Sequence, residues 1–305
     1  GEKIVMRILR ETASGSGFTL ESLGFHGEAL EALHWSTKQA TGMILTTGPT
    51  GSGKTTTLYT MLDILNTPDV NISTVEDPIE YQMPRVNQTQ VKPEIGMTFG
   101  NGLRSLVRQD PDIIMVGEIR DTETASLAVN AALTGHLVLS TLHTNSAAGA
   151  IPRMIDMNVE PFLLVSTIRV IIGQRLVRPL TKAKEEYHLT KDEIAILGKN
   201  VDLDRMLVFL KRENLVPEKG DWKDVPFYRP KGGPDAEDGY KGRIGIHEVM
   251  KVTSPIKELV IKSATSDAIE AQAKQEGMMS MIEDGVFKSV QGITTLEEVL
   301  RVVSE

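Results

Sequence analysis

The stretch Gly48-Pro-Thr-Gly-Ser-Gly-Lys54-Thr55 constrains this chain more than any other feature in it. It is a complete G-x-x-x-x-G-K-[ST] pattern, preceded by a β-rich run at 43–47 and followed by helix formers over Lys54–Leu65. Glycines so placed let successive backbone N–H groups turn inward around phosphate oxygens, and the positive end of the following helix adds to the attraction. Lys54 reaches the outer phosphates, and the Thr55 hydroxyl can ligate a magnesium ion. The expected nucleotide-binding set is Gly48, Pro49, Thr50, Gly51, Ser52, Gly53, Lys54, Thr55 and Thr56. A flexible glycine turn is the bland alternative, and the strand–loop–helix context weighs against it.

The surrounding pattern is that of an α/β domain with a mainly parallel sheet. Short apolar runs at 43–47, 71–76, 113–117 and 137–142 read as strands; they lack clean two-residue alternation, as strands covered on both faces do. Helices are expected over 54–65, 102–108, 122–133, 147–157 and 161–177, the third capped by Asp121 or Thr122. The apolar stretch 161–177 is broken by Arg169, Gln174 and Arg175, so it reads as a buried helix and not as a bilayer span. Residues 179–247, rich in Lys, Glu, Asp, Gly and Pro, read as a small insertion with loops. Four helices follow at roughly 254–263, 266–276, 278–290 and 294–303.

Several side chains fall at strand ends, where ligands bind in parallel sheets. Asp112-Ile-Ile-Met-Val-Gly-Glu118 is an apolar strand running into a carboxylate that can hold a metal-bound water or polarise an attacking one. Thr74-Val-Glu76-Asp77-Pro78-Ile79-Glu80 makes Glu76 a second candidate for that work, with a plain acidic turn as the alternative. The strand at 137–142 has His136 before it and His143 after it, and His143 is the one placed to face an outermost phosphate; a solvated or core histidine is the ordinary alternative for each. Arg104 and Arg108, four apart on a helix face, would neutralise charge on a transferred phosphoryl group or else pair on the surface with Asp110 or Glu118. Arg7 is a further candidate, acting toward a neighbouring subunit.

Composition narrows the rest. With 33 Lys and Arg against 41 Asp and Glu, the net charge is −8, a poor match for bulk phosphate-backbone binding. The absence of cysteine rules out thiolate metal sites and a cysteine nucleophile, and it fits a reducing compartment. No signal-peptide pattern opens the chain, and the strand-like residues 4–9 read as a piece of an earlier domain.

Taken in order, the stretches 48–57, 72–81, 103–121 and 134–145 resemble the Walker A, Asp, Walker B and His boxes of the secretion ATPase superfamily. The similarity is greatest to the type II secretion and type IV pilus assembly ATPases, and it extends through Asp156–Pro161, Gln174–Arg178 and Gly242–Glu248. It implies a RecA-like P-loop core over 21–178, a remnant of a preceding domain at 1–20, an insertion at 179–247 and a C-terminal helical subdomain at 248–305. It also implies a homo-hexamer that hydrolyses ATP with Mg²⁺ at the cytoplasmic face of the inner membrane. There it would work with a platform protein and a membrane-linked adaptor, without nucleic acid and without entering the bilayer. Residue by residue, the resemblance puts the phosphate lysine on Lys54, the Asp-box glutamate on Glu76, the Walker B glutamate on Glu118 and the box histidine on His143. The site arginines fall on Arg7, Arg104 and Arg108, and the adenine-proximal segment on Leu23-Gly24. Metal contact falls to Thr55 and Glu118, partly through water. Assembly members usually hold zinc in two Cys-x-x-Cys pairs, and here Thr181 with Lys184 and Gly233 with Ala236 stand at those spacings, so no zinc is expected. A retraction motor of the same superfamily, a RecA-like nucleic-acid translocase and a nucleotide-gated scaffold are the competing readings.

Overall fold

The computed structural model describes residues 17–234 and 236–304. Its elements in chain order are α1 (Gly27–Thr37), β1 (Gly42–Thr47), α2 (Lys54–Leu65), β2 (Ile72–Glu76), β3 (Val86–Gln90), α3 (Phe99–Leu106), β4 (Ile113–Val116), α4 (Thr122–Leu133), β5 (Leu137–Leu142), α5 (Ala150–Asp156) and α6 (Pro161–Thr167). There follow β6 (Ile168–Val177), β7 (Lys184–His188), α7 (Lys191–Leu197), α8 (Leu203–Arg212), β8 (Pro226–Pro230), β9 (Ile244–Lys251), α9 (Ser254–Ile261), α10 (Ser266–Gln275), α11 (Met281–Val290) and α12 (Leu296–Ser304).

Among the described residues seven strands form one sheet in the order β3-β2-β4-β5-β1-β6-β9, parallel throughout except that β9 runs antiparallel to β6. Its residues explain the missing alternation. In β1, Met43 and Leu45 enter one buried cluster and Ile44 enters the other, so both faces are apolar. Because β1, β2, β4 and β5 are parallel and in near register, their C-terminal residues Thr47, Glu76, Val116 and Leu142 reach one edge.

One expected helix is mostly strand. Residues 161–177 open as the short helix α6, with Pro161 in its first turn, and then become the ten-residue strand β6 between β1 and β9. Ile168, Val170, Ile171, Ile172 and Val177 are β-branched and fully buried, which suits a central strand better than a helix. The expected helix at 102–108 begins earlier, at Phe99 with Thr98 as its cap, and ends at Leu106; Arg108 lies in the 3-10 turn Val107–Gln109. Residues 147–157 are helical only over Ala150–Asp156.

The segment read as an insertion with loops carries regular structure. β7 and β8 pair as an antiparallel ribbon, α7 is held by a capping box between Thr190 and Glu193, and Leu210, Trp222 and Phe227 form a core that continues into Phe287 and Val290 of α11. The ribbon brings the two cysteine-free pairs alongside each other. The Lys231 N–H donates to Ala183 O at 3.1 Å, Gly233 bridges to Ala236, and the Lys184 ammonium donates to Gly292 O at 2.6 Å.

Candidate nucleotide site

The loop 48–53 joins β1 to α2 at the shared strand edge, with Gly48, Gly51 and Gly53 all at positive φ. Gly48 is confined as well as twisted: a Cβ there would stand 2.5 Å from Gln174 O and 2.6 Å from Ser52 Oγ. Gln174, reaching over from β6, clamps the loop to its helix. Its Nε2 donates to Ser52 O at 2.7 Å, and its Oε1 accepts from Thr57 Oγ1 at 2.8 Å.

Lys54 is buried at the start of α2 and donates to Gly48 O at 2.8 Å and Pro49 O at 3.0 Å. Burial pulls its pKa below the usual lysine value; the Glu118 carboxylate opposes this and the Arg175 guanidinium adds to it. Thr55 is exposed at the helix start, and the Ser52 hydroxyl is buried without a hydrogen-bond partner among the described residues. The positive end of a helix, a buried ammonium and a hydroxyl without a partner among the described residues make a set that fits polyphosphate.

Glu118, 8 % exposed, sits just past β4 and pairs with Arg120, while its Oε2 lies 3.3 Å from His143 Nε2. The loop bearing His143 is pinned to the end of β1: Thr47 Oγ1 donates to Thr144 O at 2.8 Å, and the Thr144 N–H donates back at 3.0 Å. Glu76, 2 % exposed at the tip of β2, accepts from Tyr59, from Thr74 Oγ1 at 2.5 Å and from Gln88 Nε2 at 3.1 Å. Its backbone lies beside Gly117, so the two candidate carboxylates occupy neighbouring strand tips. The Thr55 hydroxyl and the Glu118 carboxylate offer oxygen donors only, the kind that suits Mg²⁺.

Other expected residues fall elsewhere. Arg104 pairs with Glu123 of α4 at 2.7 Å, not with Asp110 or Glu118, and Arg120 is the guanidinium on Glu118. Arg108 is exposed and has no ion pair among the described residues; Arg7 lies outside them. Leu23-Gly24 docks on the start of β9, where the Gly245 N–H donates to Leu23 O at 3.0 Å; Gly245 is paired with Leu176, which approaches Gly53. His136, half-buried, bonds through Nδ1 to Ala131 O in the last turn of α4 at 2.9 Å. Gln174, Arg175, Thr144 and Arg120 carry no local pattern that marks them for this edge, apart from the polar break that Gln174 and Arg175 make in the apolar stretch 161–177.

A further buried carboxylate stands at this edge. Glu248 of β9 accepts from the Ala147 N–H at 2.5 Å, and burial raises its pKa. Gly173 makes room for it, since a Cβ there would meet Glu248 at 2.6 Å.

Sheet order, glycine loop and strand-tip carboxylates together define a RecA-like P-loop fold. The chain belongs to the family described as type II/IV secretion system protein, whose model matches residues 1–301. It is 49 % identical over its full length to the type II secretion system protein E of Xanthomonas campestris, and 44 % identical to the type IV pilus assembly ATPase PilB of Pseudomonas aeruginosa. It spans about half the length of the relatives it matches, 51 % and 50 % of these two. Among solved structures, the pilus retraction motor PilT with bound ADP aligns over 97 % of this chain and 68 % of its own at TM-score 0.66 and 28 % identity. The Legionella pneumophila ATPase DotB shares the fold at TM-score 0.62 and 22 % identity, over 95 % of this chain and 66 % of its own.

Proposed function

We propose that the chain is the motor portion of an ATPase that powers assembly of a type IV pilus or a type II secretion pseudopilus. The observation that carries the reading is the convergence of Lys54, Glu118 and His143 at one sheet edge. The loop amides and Lys54 hold the β- and γ-phosphates. Glu118 orients a water in line with the γ-phosphorus and takes its proton; the water oxygen forms the new P–O bond as the bond to the bridging oxygen breaks, giving ADP and phosphate. The Thr55 hydroxyl and Glu118 would hold a Mg²⁺ ion, which when bound would supply neutralising charge to the phosphate oxygens. His143, in contact with Glu118, reports whether the outermost phosphate is there. Arg104, Arg108 and Arg7 complete the site, some across a subunit boundary in a homo-hexamer, and Leu23-Gly24 borders the adenine. The ring works at the cytoplasmic face of the inner membrane, on a platform protein and a membrane-linked adaptor.

Steady-state phosphate release tests this. The chain should turn over Mg-ATP, Lys54→Ala should not, and single-stranded DNA should leave the rate unchanged. A DNA-stimulated rate would favour a translocase instead. A retraction motor is the second reading, favoured by the likeness to PilT; the 42–49 % identities to assembly and secretion proteins support the first. Substituted for the matching half of the P. aeruginosa pilus assembly ATPase, the chain should restore fibres.

A further inference from the structure

Tyr59 lies on α2 five residues beyond Lys54, about 7.5 Å along the helix axis. Its ring is buried, packed edge-on against Tyr81 with centroids 4.5 Å apart, which aims the hydroxyl at the acidic turn after β2. There it donates to Glu76 and accepts from the Glu80 N–H at 3.4 Å, so one oxygen spans both ends of the turn. Glu76 is held from three elements at once: by Tyr59 of α2, Thr74 of β2 and Gln88 of β3. Burial, and then the neighbouring carboxylate, raise the tyrosine pKa and keep the hydroxyl a donor at all ordinary pH. A buried hydroxyl that served only packing needs one partner. This one is spent on a carboxylate beside Gly117, one residue from Glu118.

We propose that Tyr59 is a positioning residue: its hydroxyl sets the orientation of Glu76 and ties the acidic turn to the helix that begins at the phosphate-binding lysine. Glu76 is thereby tied to the same helix that carries Lys54. The inference rests on the proposed ATPase reading.

Tyr59→Phe retains the ring and removes only the hydroxyl. We expect kcat to fall ~10-fold or more, with nucleotide affinity, read by a fluorescent ATP analogue, within ~2-fold of the parent. In a double-mutant cycle, Tyr59→Phe adds nothing to Glu76→Gln, because the hydroxyl acts through that carboxylate. An unchanged kcat, a loss confined to affinity, or losses that multiply with Glu76→Gln would overturn the positioning role. Thermal melting verifies folding. Should Tyr59→Phe fail to fold, Thr74→Val, which removes another donor to the same carboxylate, carries the test: a kcat loss at constant affinity supports the arrangement, and an unaltered kcat overturns it. No turnover in the unsubstituted chain would sink the ATPase reading and this inference with it. Turnover in both that chain and Tyr59→Phe at equal rates sinks the inference alone.

Discussion

His143 Nε2 and Glu118 Oε2 stand 3.3 Å apart, one past the end of β5 and the other past the end of β4, with the histidine exposed and the carboxylate buried. Glu118 therefore meets solvent-side chemistry through the imidazole while facing Lys54 from within. Glu118→Gln should lower phosphate release ~100-fold or more while leaving nucleotide affinity within a few-fold. His143→Ala keeps the carboxylate and should cost ~10-fold. Wild-type turnover in Glu118→Gln would remove that residue from the reaction.

Gln174 gives a prediction about the loop itself. Gln174→Leu keeps the volume and strands Ser52 O and the Thr57 hydroxyl, a loss of about 1–3 kcal/mol in unfolding free energy. Chemical denaturation should show that loss, and nucleotide affinity should fall with it because the loop is no longer held in shape.

Acid sensitivity should come from α11 and α12. Burial pushes Asp284 upward, but the Lys288 charge and the His26 hydrogen bond outweigh it and hold the carboxyl at about 2; burial also pushes Glu298 upward, and hydrogen bonds from Arg178 and Arg301 hold it at about 2. Both values lie below those of an unfolded chain, so the folded state binds fewer protons, and this stability is lost as pH falls from about 4.5 toward 2. His247, kept neutral by burial and by Lys288, adds a loss of the same sign that begins below about pH 6.5. Asp284→Asn should destabilise at pH 7 by about 3–5 kcal/mol, since Lys288 stays buried without its counter-charge. The double variant Asp284→Asn/Lys288→Met should recover much of that loss, and pH-resolved melting checks both.

The paired segments at 181–184 and 233–236 should need no metal. Elemental analysis should read no zinc, and a chelator should leave the melting temperature unmoved. One zinc per chain would refute this.

Much of the sheet is legible because its strands are short apolar runs ended by polar or charged residues. Ile113–Val116 and Leu137–Leu142 fall where the sequence placed them. β6 was not legible as a strand: an apolar run of that length carries no period, and its β-branched residues were outweighed by the helix-like start at Pro161. The helix at Gly27–Thr37 escaped because its buried side is narrow, with Leu33 and Ser36 alone fully covered. At the site, Lys54, Glu76, Glu118 and His143 are marked by local context. Partners from distant segments, such as Arg104 with Glu123 or Gln174 with Ser52, depend on which strands adjoin, and no local pattern states that.

Glu248 sits on the strand that runs against the common direction of the sheet, yet it grips the amide of Ala147 from across the sheet edge. The segment that follows His143 is thus tied to β9 through this side chain, with Gly173 left bare to seat it. The Ala147 amide thus takes its partner from a residue 101 positions further along the chain, on the last strand of the sheet.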